Sequence, residues 1–184
     1  MTPCYSDGVL SDDLTRAESQ ITRHPDYPEP GVVFRDITPL LADGTSLRAV
    51  TDAMYRPFAG GFDIVAGVEA RGFLLAGTIA SLAGTGVLPI RKAGKLPDPA
   101  ASIEYTLEYG SARIEAPGVL FPGARVLVVD DILATGGTLA ASQQLVRELG
   151  GELVGTTVIL ELDGLGGRET VGDHVHSVFT AALS

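Results

Sequence analysis

Val126-Leu127-Val128-Val129-Asp130-Asp131-Ile132-Leu133-Ala134-Thr135-Gly136-Gly137-Thr138-Leu139 joins an apolar run, two carboxylates and a glycine-rich turn in one short stretch. The run Val126 to Val129 is mostly β-branched, which predicts a strand covered on both faces, as in a parallel sheet. The two acids then fall at its C-terminal end, where open α/β sheets place their ligands. Thr135, Gly136, Gly137 and Thr138 predict a tight turn whose N–H groups and hydroxyls surround an anion, at the start of a helix over Leu139–Leu149.

Two neighbouring ionised carboxylates repel each other, so packing alone is a poor reason to keep them at a strand end. Vicinal hydroxyls donate hydrogen bonds to carboxylates, and a ribose 5-phosphate offers both a diol and a terminal phosphate. Taken alone, Asp130-Asp131 or the glycine turn fits a solvated chain reversal just as well. Their order favours the phosphorylated sugar.

Working outward, β and α patterns alternate, which predicts a mainly parallel sheet flanked by helices. A helix is expected over Leu10–Arg23, with Ser11 as N-cap and Asp12 and Asp13 in its first turn. Three prolines between His24 and Pro30 end it. Further expectations are helix Thr45–Ala59, strand Phe62–Val68, helix Phe73–Ala83 stopped by Gly84, strand Val87–Ile90 and strand Leu153–Leu162. No internal repeat is present.

Two more segments carry candidate chemistry. Glu69-Ala70-Arg71-Gly72 lies between a strand and a helix, where peptide N–H groups and the Arg71 guanidinium can meet a second anion; equally, Gly72 can serve only close helix packing. Arg91, Lys92 and Lys95 fit either a solvated charge cluster or a clamp for a leaving diphosphate. Gly164-Leu165-Gly166-Gly167 does not follow the layout of a dinucleotide fingerprint, and His174 and His176 have no further plausible metal ligand.

Composition bounds these readings. The chain has 184 residues and a net charge of −10, which argues against a nucleic-acid surface. No apolar run is long enough for a bilayer and no leader pattern opens the chain, so a soluble cytoplasmic protein is expected. Cys4 is the only cysteine, which excludes an intrachain disulfide and a thiolate cluster.

VLVVDDILATGGT (126–138) resembles the phosphoribosyl pyrophosphate signature of the type I phosphoribosyltransferases. PGVVFRDITPLL (30–41), GVEARGFLLA (67–76), IRKAGKLP (90–97) and YTLEYG (105–110) are similar to the adenine phosphoribosyltransferase branch, in that family's order. The resemblance implies an α/β fold of that type: residues 1–23 as N-terminal tail and helix, then a single domain over 24–184 with a small hood at about 24–44 and a flexible catalytic loop at about 93–115. That loop should act as a lid, because Gly94, Pro97, Pro99 and Gly110 interrupt any long regular element.

The same resemblance assigns roles. Val33 and Arg35 offer main-chain contacts to adenine, with Phe34 or Ile37 as apolar walls. Glu69, Ala70 and Arg71 bind the pyrophosphate end, with a non-proline cis peptide at Glu69-Ala70. Arg91, Lys92, Lys95 and Tyr109 serve the diphosphate; the family's further basic residue is Ala93 here, which weakens one contact or assigns it to another subunit. Ala134, Thr135, Gly136, Gly137 and Thr138 hold the 5-phosphate, and Asp130 and Asp131 the ribose hydroxyls. Glu108 assists the chemistry by sharing a proton with the base, although from sequence alone Glu108 and Tyr109 also fit exposed hairpin residues.

The implied reaction converts adenine and phosphoribosyl pyrophosphate into AMP and pyrophosphate, with Mg²⁺ held mainly through the substrate diphosphate and no dedicated protein metal site. A homodimer is implied, with no nucleic acid and no membrane as partner. Three other readings stand beside it: a different purine or orotate as acceptor, a regulator that senses phosphoribosyl pyrophosphate, and an assembly subunit that only binds nucleotide.

Overall fold

The computed structural model describes residues 7–106, 110–172 and 174–182. Two compact units result, the first reaching Ala53 and the second spanning Met54–Ala182. In the first, helix α1 (Asp7–Ser19) is followed by an antiparallel pair, β1 (Thr22–Pro25) and β2 (Val33–Asp36), then α2 (Thr38–Ala42) and α3 (Gly44–Tyr55). The first helix thus begins before Ser11, which lies within it instead of capping it, and it ends before Thr22 because Thr22–Pro25 find strand partners in Val33–Asp36. Asp43 accepts hydrogen bonds from the N–H groups of Thr45 and Ser46, the role a side chain plays at a helix start. That contact explains why α3 opens at Gly44.

The second unit is built on a seven-stranded sheet of order β5-β6-β4-β3-β7-β8-β9. Its elements are β3 (Ile64–Val68), α4 (Arg71–Ala83), β4 (Gly86–Lys92), β5 (Ala101–Thr106), β6 (Ser111–Ala116), β7 (Arg125–Leu133), α5 (Gly137–Glu148), β8 (Glu152–Leu162), α6 (Gly167–Val171) and β9 (Val175–Ala181). Strands β4, β3, β7, β8 and β9 run parallel, while β5 and β6 add an antiparallel edge. The α/β class is therefore as expected.

Val126, Leu127, Val128 and Val129 are all fully buried, because β7 is central and covered on both faces. Val126 and Val128 share a core with Leu139, Leu145 and Val146 of α5. The intervening residues point the other way, toward the side of α4, which packs on β3 and β7. Gly84 ends α4 with φ +72°, the left-handed cap its position predicts.

The 93–115 segment carries a regular hairpin among the described residues. Residues Ala101–Thr106 and Ser111–Ala116 pair over their whole length, and Ile103 and Ile114 alternate into the core. The interrupting residues Gly94, Pro97 and Pro99 lie before that hairpin, so they break only the approach to β5.

Candidate active site

Strand β7 outruns its neighbour on one side. Pairing with β3 stops at Val129, whereas pairing with β8 continues to Leu133. The backbone beyond Val129 thus loses a strand on the β3 side, and Asp130 and Asp131 fall there, at the C-terminal edge of the sheet. Gly72 makes the approach of α4 to this point possible, since a Cβ at Gly72 would lie 2.8 Å from the Val129 carbonyl oxygen and 3.1 Å from Asp130 Oδ1. Close helix packing and proximity to the site are one property of this glycine.

A cavity of about 440 Å³ opens there, and its walls include Glu69, Ala70, Arg71, Lys92, Asp130 and Asp131. The Glu69–Ala70 peptide is cis, as the family resemblance implies. Arg71 Nη2 lies 2.6 Å from Asp131 Oδ2. The Asp131 N–H donates to Asp130 Oδ1 at 2.9 Å. Burial, and then the charge of Asp131, push the Asp130 carboxyl well above the usual aspartate range, with Arg71 acting in the opposite direction.

Ala134, Thr135, Gly136, Gly137 and Thr138 line a second cavity, of about 90 Å³, on the scale of a tetrahedral oxyanion. Gly136 takes φ +83° immediately before α5, so the turn directs the first N–H groups of that helix into the space. Asp130 and Thr138 line both cavities. The two spaces thus form one elongated site, with an anion turn at one end, two acids in the middle and the Glu69–Arg71 turn beyond.

Of the three cations in the basic segment, Lys92 lines the larger cavity. Arg91 and Lys95 are drawn onto Glu69: Arg91 Nε is 3.3 Å from Oε2, Lys95 Nζ is 3.3 Å from Oε1, and the Lys92 N–H donates to Oε2 at 3.0 Å. Glu69 loses solvation by burial, yet these donors outweigh that loss and hold its carboxyl below the usual range. Its carboxylate occupies cations expected to meet a diphosphate.

Val33, Phe34 and Arg35 lie on β2 in the first unit. Phe34 meets Tyr27 edge to face at 5.4 Å between ring centroids, and both line a cavity of about 280 Å³ with His24 and Asp36. Arg35 is buried; that burial, and Arg23 opposite it on β1, hold its guanidinium below the ordinary range. Glu108 and Tyr109 lie outside the described residues.

Three contributors escape a sequence reading. Thr138 Oγ1 donates to the Tyr105 phenol oxygen at 3.0 Å, and Tyr105 lines the larger cavity. Glu115, buried on β6, accepts from the Lys95 and Leu96 N–H groups at 2.9 and 2.8 Å. Its signal was an acid between two apolar residues, Ile114 and Ala116. Gly167 opens α6 directly against the anion turn, where a Cβ would lie 2.1 Å from the Ala134 carbonyl oxygen. Gly167 thus makes room for the turn at 134–136. His176 packs its ring against Phe58, in keeping with an ordinary strand residue.

Comparison with known proteins places this geometry. The phosphoribosyl transferase domain model matches residues 38–182. An adenine phosphoribosyltransferase of Saccharopolyspora erythraea is 55% identical over 174 residues, covering 94% of each chain. The crystal structure of adenine phosphoribosyltransferase from Rhodothermus marinus superposes with a TM-score of 0.87 at 42% identity, over 93% of this chain and 99% of that one. That of Saccharomyces cerevisiae, complexed with adenine and an imino-altritol bisphosphate, gives 0.85 at 33% identity, over 91% and 99%.

Proposed function

Because the chain belongs to the adenine phosphoribosyltransferase family of phosphoribosyl transferase enzymes, we propose that it transfers the 5-phosphoribosyl group of phosphoribosyl pyrophosphate to N9 of adenine, in a magnesium-dependent reaction of purine salvage. The observation that carries this reading is the sharing of Asp130 and Thr138 by the two cavities. One substrate with phosphate, diol and diphosphate in that order fits such a site.

In this reading Thr135 to Thr138 and the α5 N-terminus hold the 5-phosphate. Asp131 and Asp130 meet the two ribose hydroxyls, with burial raising the Asp130 carboxyl above its usual range. The Glu69–Arg71 turn and Lys92 hold the diphosphate. Adenine N9 forms its bond to C1 as the C1–O bond breaks, the electron pair leaves with pyrophosphate, and Glu108 shares the proton that the base must shed. Anchoring the phosphate at one end and the diphosphate at the other fixes C1 for in-line attack, so positioning supplies much of the rate. Main-chain groups of Val33 and Arg35 recognise the base, with Phe34 as an apolar wall.

The donor chemistry fits magnesium. Glu69, Asp130 and Asp131 are hard oxygen donors in the larger cavity, and among the described residues no group of three or more His, Cys, Asp or Glu is placed to hold a metal. Diphosphate oxygens and water would then complete its shell. When bound, the ion supplies positive charge to the leaving diphosphate. Among the described residues no helix is long and apolar enough to cross a membrane. A cytoplasmic homodimer is the assembly that this reading takes, with adenine, phosphoribosyl pyrophosphate, AMP and pyrophosphate as its ligands.

The test is AMP and pyrophosphate formation from phosphoribosyl pyrophosphate, Mg²⁺ and each of adenine, hypoxanthine, guanine, xanthine and orotate, with Glu108→Ala as control. Turnover confined to adenine and reduced by the substitution supports both assignments. Turnover with another base overturns the role given to β2, and nucleotide binding without turnover overturns the enzyme reading.

A further inference from the structure

Resting on that phosphoribosyl-transfer reading, we propose that Glu115 is a positioning residue for the diphosphate subsite, fixing the turn at 93–96 so that the Lys95 ammonium is delivered to the place where diphosphate binds. A carboxylate at this point of β6 has no packing rationale. It is 4% exposed, sits between Ile114 and Ala116, and faces Arg91 across the β4–β6 pairing. An acid there loses solvation and is tolerated only where strong donors replace the lost water.

Those donors all come from the turn. Burial disfavours the charged form, but Glu115 Oε1 accepts from the Lys95 and Leu96 N–H groups, and these contacts, the Gly94 N–H and the Arg91 charge together hold the carboxyl below its usual range. Other bonds complete the frame: the Ala93 N–H donates to the Arg113 carbonyl at 2.9 Å, and Arg91 Nη1 lies 3.4 Å from the Lys95 carbonyl oxygen. Gly94 provides the φ of +82° that lets the chain reverse.

The consequence is directional. With its backbone held by Glu115, Lys95 extends Nζ to 3.3 Å from Glu69 Oε1, and Glu69 is a wall of the diphosphate end of the cavity. Position 93 carries alanine, so the turn itself supplies one cation to that end. Glu115 accepts from peptide N–H groups of the turn, and the Lys95 side chain is left to reach Glu69 at the diphosphate end.

The experiment is a double-mutant cycle on Glu115→Ala and Lys95→Ala, read by calorimetric binding of inorganic pyrophosphate in the presence of Mg²⁺ and by the KM values of both substrates. Glu115→Ala is expected to weaken pyrophosphate binding and raise the KM for phosphoribosyl pyrophosphate by roughly tenfold, with the adenine KM within about twofold. In the Lys95→Ala background the same change is expected to add little, and Glu115→Gln, whose amide oxygen still accepts from the turn, should recover most of the loss. Additive losses, equal changes in both KM values, or an unaltered pyrophosphate affinity in a folded Glu115→Ala protein would overturn the proposal. Amide hydrogen exchange in the wild type gives a readout that needs no variant: Lys95 and Leu96 should be protected before pyrophosphate is added, and unprotected exchange there also overturns it. Absence of AMP formation by the wild type counts against the enzyme reading alone, because the pyrophosphate cycle still tests Glu115.

Discussion

Thr138 Oγ1 donates a hydrogen bond to the Tyr105 phenol oxygen at 3.0 Å, tying the anion turn at the start of α5 to the β5–β6 hairpin. The turn is therefore oriented by a strand at the edge of the sheet as well as by its own helix. Tyr105→Phe removes the acceptor and leaves the ring. A loss of roughly 0.5–1.5 kcal/mol is expected, read as a three- to tenfold rise in the KM for phosphoribosyl pyrophosphate with the adenine KM unchanged. A rise confined to adenine would show that Tyr105 serves the base end.

Gly167 supports the same turn from the opposite side. Its missing side chain leaves room for the Ala134 carbonyl, and a Cβ on Gly136 would meet the Gly167 carbonyl oxygen at 2.6 Å. Gly167→Ala must push the two backbones apart, with a destabilisation of about 1–3 kcal/mol by the measure of other overpacked sites. Thermal melting should show the loss, and the KM for phosphoribosyl pyrophosphate should rise with it. Gly77 is the contrast: it lies within α4 with nothing near its would-be Cβ. Gly77→Ala should stabilise by roughly 0.5–1 kcal/mol and leave both KM values alone.

These contacts show what a sequence reveals and what it hides. The apolar run, the paired acids and the glycine turn are neighbours in the chain, so their joint placement at one sheet end follows from local pattern. Tyr105 reaches Thr138 across 33 residues, and Glu115 reaches Lys95 across 20. Nothing within either segment names the other; only the sheet order, with β6 beside β4, brings Glu115 to the basic turn. The hairpin at 101–116 is more legible. Gly94, Pro97 and Pro99 precede it, and within it exposed Glu104 alternates with buried Ile103, a strand signal carried by the local sequence.

Arg71 and Asp131 form an ion pair within the site, with the arginine side chain 34% and the aspartate 10% exposed. Arg71→Gln leaves two adjacent carboxyls without their nearest cation. Removing one partner of such a pair should cost roughly 1–3 kcal/mol, below the fully buried case because Arg71 is partly solvated. In the proposed reading the same guanidinium meets the diphosphate, so kcat/KM for phosphoribosyl pyrophosphate should fall about a hundredfold. Calorimetry and steady-state kinetics separate the two effects. Lost stability with unchanged kinetics would remove Arg71 from the substrate contacts.

Asp63 and Arg125 make a test of acid stability that is independent of the site. Asp63 precedes β3 and Arg125 opens β7, and the carboxylate accepts from the Arg125 N–H at 3.0 Å, from Nε at 3.1 Å and from Nη2 at 2.7 Å. The Arg125 side chain first, and its peptide N–H second, lower the Asp63 carboxyl from an ordinary 3.8 to about 2. A folded-state value below the unfolded one means that the folded protein releases this proton more readily. The stabilisation is therefore complete above the unfolded value of 3.8 and disappears as the pH falls through about 2. Asp63→Asn removes the titration while keeping an oxygen acceptor. Its melting temperature should lie below that of the wild type by a constant amount above about pH 5, and the two should converge toward pH 2. Other carboxylates lowered by their partners titrate alike in both proteins and cancel in the difference. Parallel curves across the whole range would mean that the charge of Asp63 contributes nothing to joining β3 and β7.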